Sequence, residues 1–295
     1  MQSTEPTYPV TAVFPTRNRI DSALRTLQVL TDCRPAPGEI IVHVDGGSEA
    51  MQTAIREKFP AVRILTSTEL VGPGGARNKL ITSAANDLVA NFDDDSFPSQ
   101  MDYFARVLKT AGLFPDAAII SAASHASEWS SPEFQSIATA SGCGCVFRKC
   151  WFERTTGFVP LPIAYNMEEA DIGLQLHALR GVIVHDPNLR VTHDHLPPKE
   201  VNPRSNAVVL ANTALLPFLR YPWWLWPAGV WQVLHRIVSL CVRRWTAGLP
   251  DGIRMIPSHL ITHASYRKVM PGRAVLSWLL LRRWPRVLSF KNNRT

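Results

Sequence analysis

Short apolar runs alternate with amphipathic stretches along the first 92 residues. PVTAVFPT (9–16), EIIVHV (39–44), AVRILTS (61–67) and DLVANF (87–92) are compact and mostly β-branched or apolar, whereas IDSALRTLQVL (20–30), EAMQTAIREKF (49–59) and GARNKLITSAA (75–85) repeat apolar positions at helical spacing. Strand and helix alternating at this pitch predict βα units, hence an α/β fold with a mostly parallel sheet flanked by helices. Ligands of such sheets bind beyond the carboxyl ends of the strands. The residues that follow each run are therefore the candidates: Pro15, Thr16, Arg17 and Asn18, then Asp45 to Ser48, then Asp93, Asp94 and Asp95. These polar ends are expected to converge on one rim.

Further along the pattern loosens. Residues 115–162 predict more strands joined by loops, and Ser96 and Pro98 are expected to open a helix through SQMDYFARVLKTAG. NMEEADIGLQLHALRG (166–181) predicts a helix with acids at its amino end, where the helix dipole favours negative charge, and Gly181 as its carboxyl cap. Within AGVWQVLHRIVSLCVRRW, Val230, Leu234, Ile237, Val238, Cys241 and Trp245 fall on one helical side and Gln232, His235, Arg236, Ser239 and Arg243 on the other. The chain thus divides into an α/β region, 1–204, and a mainly helical tail, 205–295.

Composition sharpens that division. The chain has 295 residues, 46% of them hydrophobic, enough for a full core. Its net charge of +7 conceals an asymmetry: residues 205–295 hold 13 Lys and Arg against one acid, Asp251, while residues 1–204 hold 18 bases against 23 acids. Seven of the nine tryptophans also lie in the tail. A basic, Trp-rich amphipathic segment predicts contact with an anionic membrane surface, and the charges and prolines that interrupt every apolar run predict attachment to the surface, not spanning. Packing of these helices on the first region or on a second subunit is the alternative. Nucleic acid is not expected, because the Trp residues cluster with apolar neighbours and do not interleave with Lys and Arg. Five scattered cysteines, with no C-x-x-C pair and no basic, apolar leader in MQSTEPTYP, predict free thiols in a reducing, cytoplasmic compartment and no zinc knuckle at Cys143, Cys145 and Cys150.

The candidate chemistry centres on Asp93 to Asp95. Carboxylates at i and i+2 after a strand can both face a divalent cation, and Mg²⁺ or Mn²⁺ is commonly held by one or two carboxylates with substrate phosphates; a solvated acidic turn or helix cap is the plainer alternative. Glu168, Glu169 and Asp171 crowd three acids together, which can raise a pKa toward the range of a general base. His193 or His195 in VTHDH could add an imidazole to the metal set, with His193 the better placed.

Taken in order, VFPTRNR (13–19), VDGGS (44–48), GGARN (74–78), FDDDSFP (92–98), MEEADIGLQL (167–176) and VTHDH (191–195) resemble family-2 inverting glycosyltransferases of the GT-A fold, over residues 9–196. The resemblance implies transfer of a sugar from a nucleotide-diphosphate donor, UDP or dTDP, to a hydroxyl of a glycan or lipid-linked acceptor, with Mn²⁺ or Mg²⁺ as cofactor, in polysaccharide, cell-surface glycan or glycolipid synthesis at the inner face of the cell membrane. It implies donor contacts by Pro15, Thr16, Arg17, Asp45, Arg77, Asn78, Asp93 and Asp94, metal ligation by Asp93, Asp95 and His193, and Glu169 as general base with Glu168 and Asp171 beside it. SGCGCVFRK resembles the strand and Arg-containing turn near the family's acceptor site. The chain departs from the family at Arg17, where an aromatic residue is usual, and at Gly46 and Ala50, where acids are common. A sugar nucleotidyltransferase lacks support from FPTRNR, which is not a Gly-rich phosphate loop. A catalytically inactive membrane-associated scaffold remains the third alternative, resting on Gly46 and Ala50.

Overall fold

The computed structural model describes residues 8–124, 133–165, 167–194 and 202–288. In chain order the elements are β1 (Tyr8–Thr16), α1 (Ile20–Asp32), β2 (Pro37–Asp45), α2 (Glu49–Lys58), β3 (Arg63–Ser67), α3 (Gly72–Ser83), β4 (Leu88–Asn91), β5 (Ser96–Pro98), α4 (Tyr103–Leu113) and β6 (Ala117–Ser124). There follow β7 (Gln135–Ile137), β8 (Cys145–Arg148), α5 (Lys149–Phe152), α6 (Glu168–Ala178) and β9 (Val182–His193). The carboxyl-terminal elements are α7 (Pro203–Arg220), α8 (Trp226–Val242), α9 (Leu249–Thr262), α10 (Gly272–Arg283) and β10 (Arg286–Val287).

One sheet runs β10-β7-β9-β6-β8-β4-β1-β2-β3, with β5 paired to β9. The β4-β1-β2-β3 part is parallel throughout, and β6 and β9 are parallel to each other; β8 enters antiparallel between β4 and β6. Strand alternation sorts the core. Val10, Ala12 and Phe14 face α1, α2 and α4 in one apolar layer, while Val13, between them, points to the opposite layer with α3 and α6. After β3 the chain returns to the other side of β1, so the strand order reverses there. The crevice at such a reversal is where open α/β sheets bind ligands.

Two local expectations are corrected. Ser96 to Pro98 do not start a helix; they form β5, antiparallel to β9, with Ser96 opposite His193, and α4 begins only at Tyr103. The long-range pairing overrides the local cap signal, and it carries Asp95 to His193. At the end of α6 the left-handed residue is Arg180, with φ of 67°. Gly181 instead supplies the N–H that closes on Leu176 O while Arg180 N–H closes on His177 O, a Schellman arrangement.

Residues 203–288 are mainly helical and share the core. Leu215, Leu216 and Leu219 of α7 and Val275, Trp278 and Leu281 of α10 pack with Leu174 of α6 in a third apolar cluster, and β10 extends the sheet through β7. The Trp278 indole N–H donates to Ala138 O at 3.0 Å. Helix α8 is apolar on two sides: Leu240, with Val233 and Ile237 beside it, packs on Leu210 and Leu249, and a second apolar row is left outside. Its Val230, Trp231, Leu234, Val238 and Val242 are exposed, whereas Gln232, Arg236 and Ser239 lie half-buried toward the body. Among the described residues no helix is long and apolar enough to cross a membrane. All five cysteines are free thiols, with Cys33, Cys143 and Cys145 buried.

Candidate active site

The three aspartates after β4 are held by positive groups from three elements. Asp93 N–H donates to Ser96 Oγ at 2.7 Å and Ser96 N–H to Asp93 O at 3.0 Å, which closes a tight turn. The Arg19 guanidinium forks across two of them, Nη1 to Asp94 Oδ1 at 2.7 Å and Nη2 to Asp95 Oδ2 at 2.6 Å. Thr16, at the carboxyl end of β1, donates to Asp94 Oδ2 at 2.9 Å. Burial nevertheless lifts Asp94 to about 6, against the opposing pull of Arg19 and Thr16.

Asp95 behaves differently. Burial pushes it upward, but hydrogen bonds from His193 and Arg19 outweigh that push and hold it well below the usual carboxylate range. His193 Nε2 lies 3.2 Å from Asp95 Oδ1. That hydrogen bond, then one to Cys143, raises the imidazole to about 10. Candidate ligand atoms of Asp93, Asp95 and His193 all fall within 4.8 Å of one another. Two carboxylates and one imidazole on such a short span fit a divalent cation, with oxygen ligands suited to Mg²⁺ or Mn²⁺ and the imidazole to a transition ion. His195 lies outside the described residues.

The acidic cluster of α6 resolves into three distinct surroundings. Arg77, buried at 5% exposure on α3, joins Glu168 through Nη1 and Asp93 through Nη2, so a single guanidinium couples the acidic helix to the aspartate turn. Burial favours the neutral form of Glu168 and lifts it to about 7, even with Arg77 opposing. Asp171, 1% exposed, is clasped by both sides of the Arg220 fork, with Nη2 to Oδ2 at 2.8 Å, and burial still leaves it raised. Glu169 is the one that lines an open cavity, of about 590 Å³, together with Ser141 and Gly142 on one side and residues of α7, α8 and α10 on the other. Burial raises its pKa too. Two glycines lie against the acids: a β-carbon on Gly142 would stand 2.7 Å from the movable end of Glu169, at Oε1, and one on Gly74 would stand 2.8 Å from Glu168 Oε1 and 3.0 Å from Val159 O.

Of the remaining expected donor residues, Pro15, Arg17 and Asp45 stand at the carboxyl ends of β1 and β2, and Asn78 lies in the middle of α3. Pro15 is half-buried at the end of β1 and Arg17 is exposed beyond it. Asp45 accepts from Ser67 Oγ and Val71 N–H on Oδ1 and from Gly72 N–H on Oδ2, which orders the approach to α3 and leaves acceptor capacity on Oδ2. The Asn78 amide clasps Phe158 from both sides, its Nδ2 donating to Phe158 O and its Oδ1 accepting from Phe158 N–H. Arg148 Nη2 donates to Ala111 O on the far side of β8. Arg19 and Arg220 were not among the sequence candidates. Their partners lie 75 and 49 residues away, and only the short spacing of Arg19 from Thr16 could have drawn attention to it.

The fold and site define a GT-A glycosyltransferase, and comparison with known proteins supports this. Residues 11–168 match the family model Glycosyl transferase family 2, and the chain belongs to that family. It is therefore a glycosyltransferase enzyme. Among solved structures, one similar chain is a mannosyltransferase, PcManGT from Pyrobaculum calidifontis, in complex with GDP-Man and Mn²⁺, at 15% identity and TM-score 0.58, covering 95% of this chain and 88% of that one. GalNAc-T7 with UDP, GalNAc and Mn²⁺ is similar at 11% identity and TM-score 0.55, over 72% of this chain and 48% of that one. TarS of S. aureus is similar at 13% identity and TM-score 0.53, over 71% and 39%. No curated protein matches the chain in sequence.

Proposed function

We propose that this enzyme is an inverting, metal-dependent glycosyltransferase that moves a sugar from a nucleotide-diphosphate donor, a UDP- or dTDP-sugar, to an acceptor hydroxyl in cell-surface glycan or glycolipid synthesis. The observation that carries the proposal is the coupling of the aspartate turn to the acidic helix through Arg77, with Glu169 facing the open cavity. Asp93, Asp95 and His193 are the residues that would hold Mn²⁺ or Mg²⁺, and the imidazole favours Mn²⁺. When bound, that cation supplies neutralisation of the charge that develops on the departing diphosphate.

The chain's own residues do the rest. Asp94, fixed by Thr16 and Arg19, offers an acceptor at the donor rim. Arg77 holds Glu168 and Asp93 in register, so it acts as a positioning residue. Glu169, with its pKa raised by burial, takes the proton from the acceptor hydroxyl as that oxygen attacks the anomeric carbon. A single displacement of this kind inverts the anomeric centre and needs no covalent sugar–enzyme intermediate. The outward apolar stripe of α8 and the basic tail favour peripheral attachment to an anionic membrane, at its cytoplasmic face.

Two experiments test these parts. Screening nucleotide sugars for Mn²⁺-dependent turnover should identify at least one donor; silence across UDP, dTDP and GDP sugars with metal present would refute the catalytic proposal. Flotation of the full chain with vesicles containing anionic phospholipid should be lost with Trp231→Ser, Leu234→Ser and Val238→Ser combined. Unchanged flotation of that variant would refute docking through α8.

A further inference from the structure

Glu169 stands in the first turn of α6, and the described residues between α5 and α6 belong to no strand or helix that would fix where that turn begins. Ala164 O accepts from Met167 N–H at 2.9 Å and Met167 O from Asp171 N–H at 2.8 Å, so the lead-in at 164–167 sets the register of α6. Two more carbonyls of this lead-in are held from outside. Asn212 of α7, fully buried, donates from Nδ2 to Ile163 O and to Tyr165 O, at 3.1 Å each. Carbonyl oxygens only accept, so the amide nitrogen must face the lead-in and Asn212 Oδ1 must face away from it.

On that far side Oδ1 meets His259 Nε2 of α9 at 2.9 Å. An acceptor there requires the hydrogen on Nε2, which fixes the tautomer of the ring. Burial first, then His263, lowers His259 to about 4, so at neutral pH the ring is uncharged and its N–H is the one directed at Asn212. His263 braces it in turn: its Nδ1 donates to His259 O at 2.8 Å, and the two rings lie 4.5 Å apart. Both amide N–H groups and the amide oxygen of Asn212 thus have partners, as a buried polar side chain requires. The next residue of α7, Thr213, lines the cavity together with Glu169 and Ala170. About two turns further on, Arg220 grips Asp171 and donates to Tyr266 O just beyond α9. Helix α7 therefore holds α6 twice, by a charged pair within its first turn and by a neutral amide at its entrance.

Building on the glycosyltransferase proposal, we infer that Asn212, oriented by His259, is a positioning residue for Glu169: the amide pins the lead-in at Ile163 and Tyr165 and so sets where the carboxylate stands in the cavity. His259 acts one step further out. Without its N–H the amide is free to turn and to present oxygen, in place of nitrogen, to the two carbonyls.

Two measurements on the full chain test this. Amide hydrogen exchange needs no substrate: His259→Leu should speed exchange over residues 167–172 by about tenfold, the scale of one buried hydrogen bond, and Asn212→Leu by more, with β1, β2 and β3 as protected as in the wild type. His259→Gln, whose side-chain N–H can reach the same oxygen, should restore most of the protection. In steady-state transfer, His259→Leu should lower kcat by about tenfold with Mn²⁺-dependent donor binding unchanged, and His259→Gln should recover it. Ile55→Ala, a cavity in the apolar layer on the opposite face of the sheet, should lower Tm yet leave kcat intact below its melting range. If Asn212→Leu does not fold, the two His259 variants decide alone. Exchange over 167–172 unchanged in His259→Leu, or raised equally across the sheet, would overturn the positioning role, and so would kcat preserved in that variant or lost equally in Ile55→Ala. Absence of turnover in the wild type would instead count against the glycosyltransferase proposal, and the exchange measurement is independent of it.

Discussion

Replacing Arg220 by Met isolates what the buried pair with Asp171 does. Both side chains are 1% exposed, and the guanidinium meets the carboxylate on two sides while also donating to Tyr266 O at 2.9 Å. Met fills much of the stem volume but leaves the Asp171 charge buried without compensation. Breaking such a pair by removing one partner costs about 3–5 kcal/mol. In a chain of this size class each kcal/mol shifts Tm by about 2–4 °C, so the melting temperature should fall by roughly 10 °C. The deficit should also depend on pH, and its sign follows from Asp171. Burial already raises that carboxyl in the wild type against the pull of Arg220, and loss of Arg220 raises it further. A carboxyl raised in the folded state costs stability as pH rises from the unfolded value through the folded one, because the unfolded chain releases its proton first. The gap between variant and wild type should therefore narrow as pH is lowered from 7.5 toward 5. Adding Asp171→Asn to Arg220→Met should recover part of the loss. Thermal unfolding followed by calorimetry at the two pH values reads all three effects. A fall of only a degree or two, or a gap that widens in acid, would refute the assignment of Asp171 as a buried, arginine-compensated charge.

Three further outcomes are expected. Gly142→Ala places a methyl 2.7 Å from Glu169 Oε1, so steady-state kinetics should show kcat lowered by about tenfold or more with donor KM little changed, since small displacements of a reacting group carry costs of this order. The pH profile of kcat/KM should have its acid limb above the ordinary carboxylate range, because burial raises Glu169 and lifts its neighbour Glu168 to about 7; activity is lost as pH falls through those raised values, and a limb near 4 would contradict it. Mn²⁺ binding should release a proton near neutral pH, because the His193 imidazole is raised to about 10 by Asp95 and must be neutral to ligate; calorimetry in buffers of different ionisation enthalpy reads the count, and affinity independent of pH would contradict it.

Much of this architecture is legible in the sequence because it depends on local pattern. The parallel strands β1, β2, β3 and β4 coincide with the apolar runs, since alternating positions such as Ala12 and Val13 must satisfy layers on both faces of the sheet. The aspartate turn and the acidic helix are visible as strings of like charge. What is not visible is set by distant pairing. β5 spans three residues that include a proline, a weak strand signal, and exists because β9 returns 95 residues later to meet it. The charge on Asp171 is explained locally by the helix dipole, yet its actual partner is Arg220, on α7 in the carboxyl-terminal region. The amphipathic period of α8 is plain in the sequence, but a period cannot tell which side turns inward. That orientation puts Arg236 on the cavity that Glu169 faces and leaves Val230 and Leu234 outside.

Direct comparison of Asp95→Ala with Glu169→Gln, measuring Mn²⁺-dependent binding of a nucleotide sugar alongside transfer to acceptor, separates the two halves of the site. Glu169→Gln should retain metal-dependent donor binding and lose transfer by about 10²–10⁴-fold, the scale of general-base catalysis, whereas Asp95→Ala should lose the metal-dependent binding itself. The opposite pattern, with donor binding abolished by the glutamine and preserved by the alanine, would contradict the assignment of base and metal ligand.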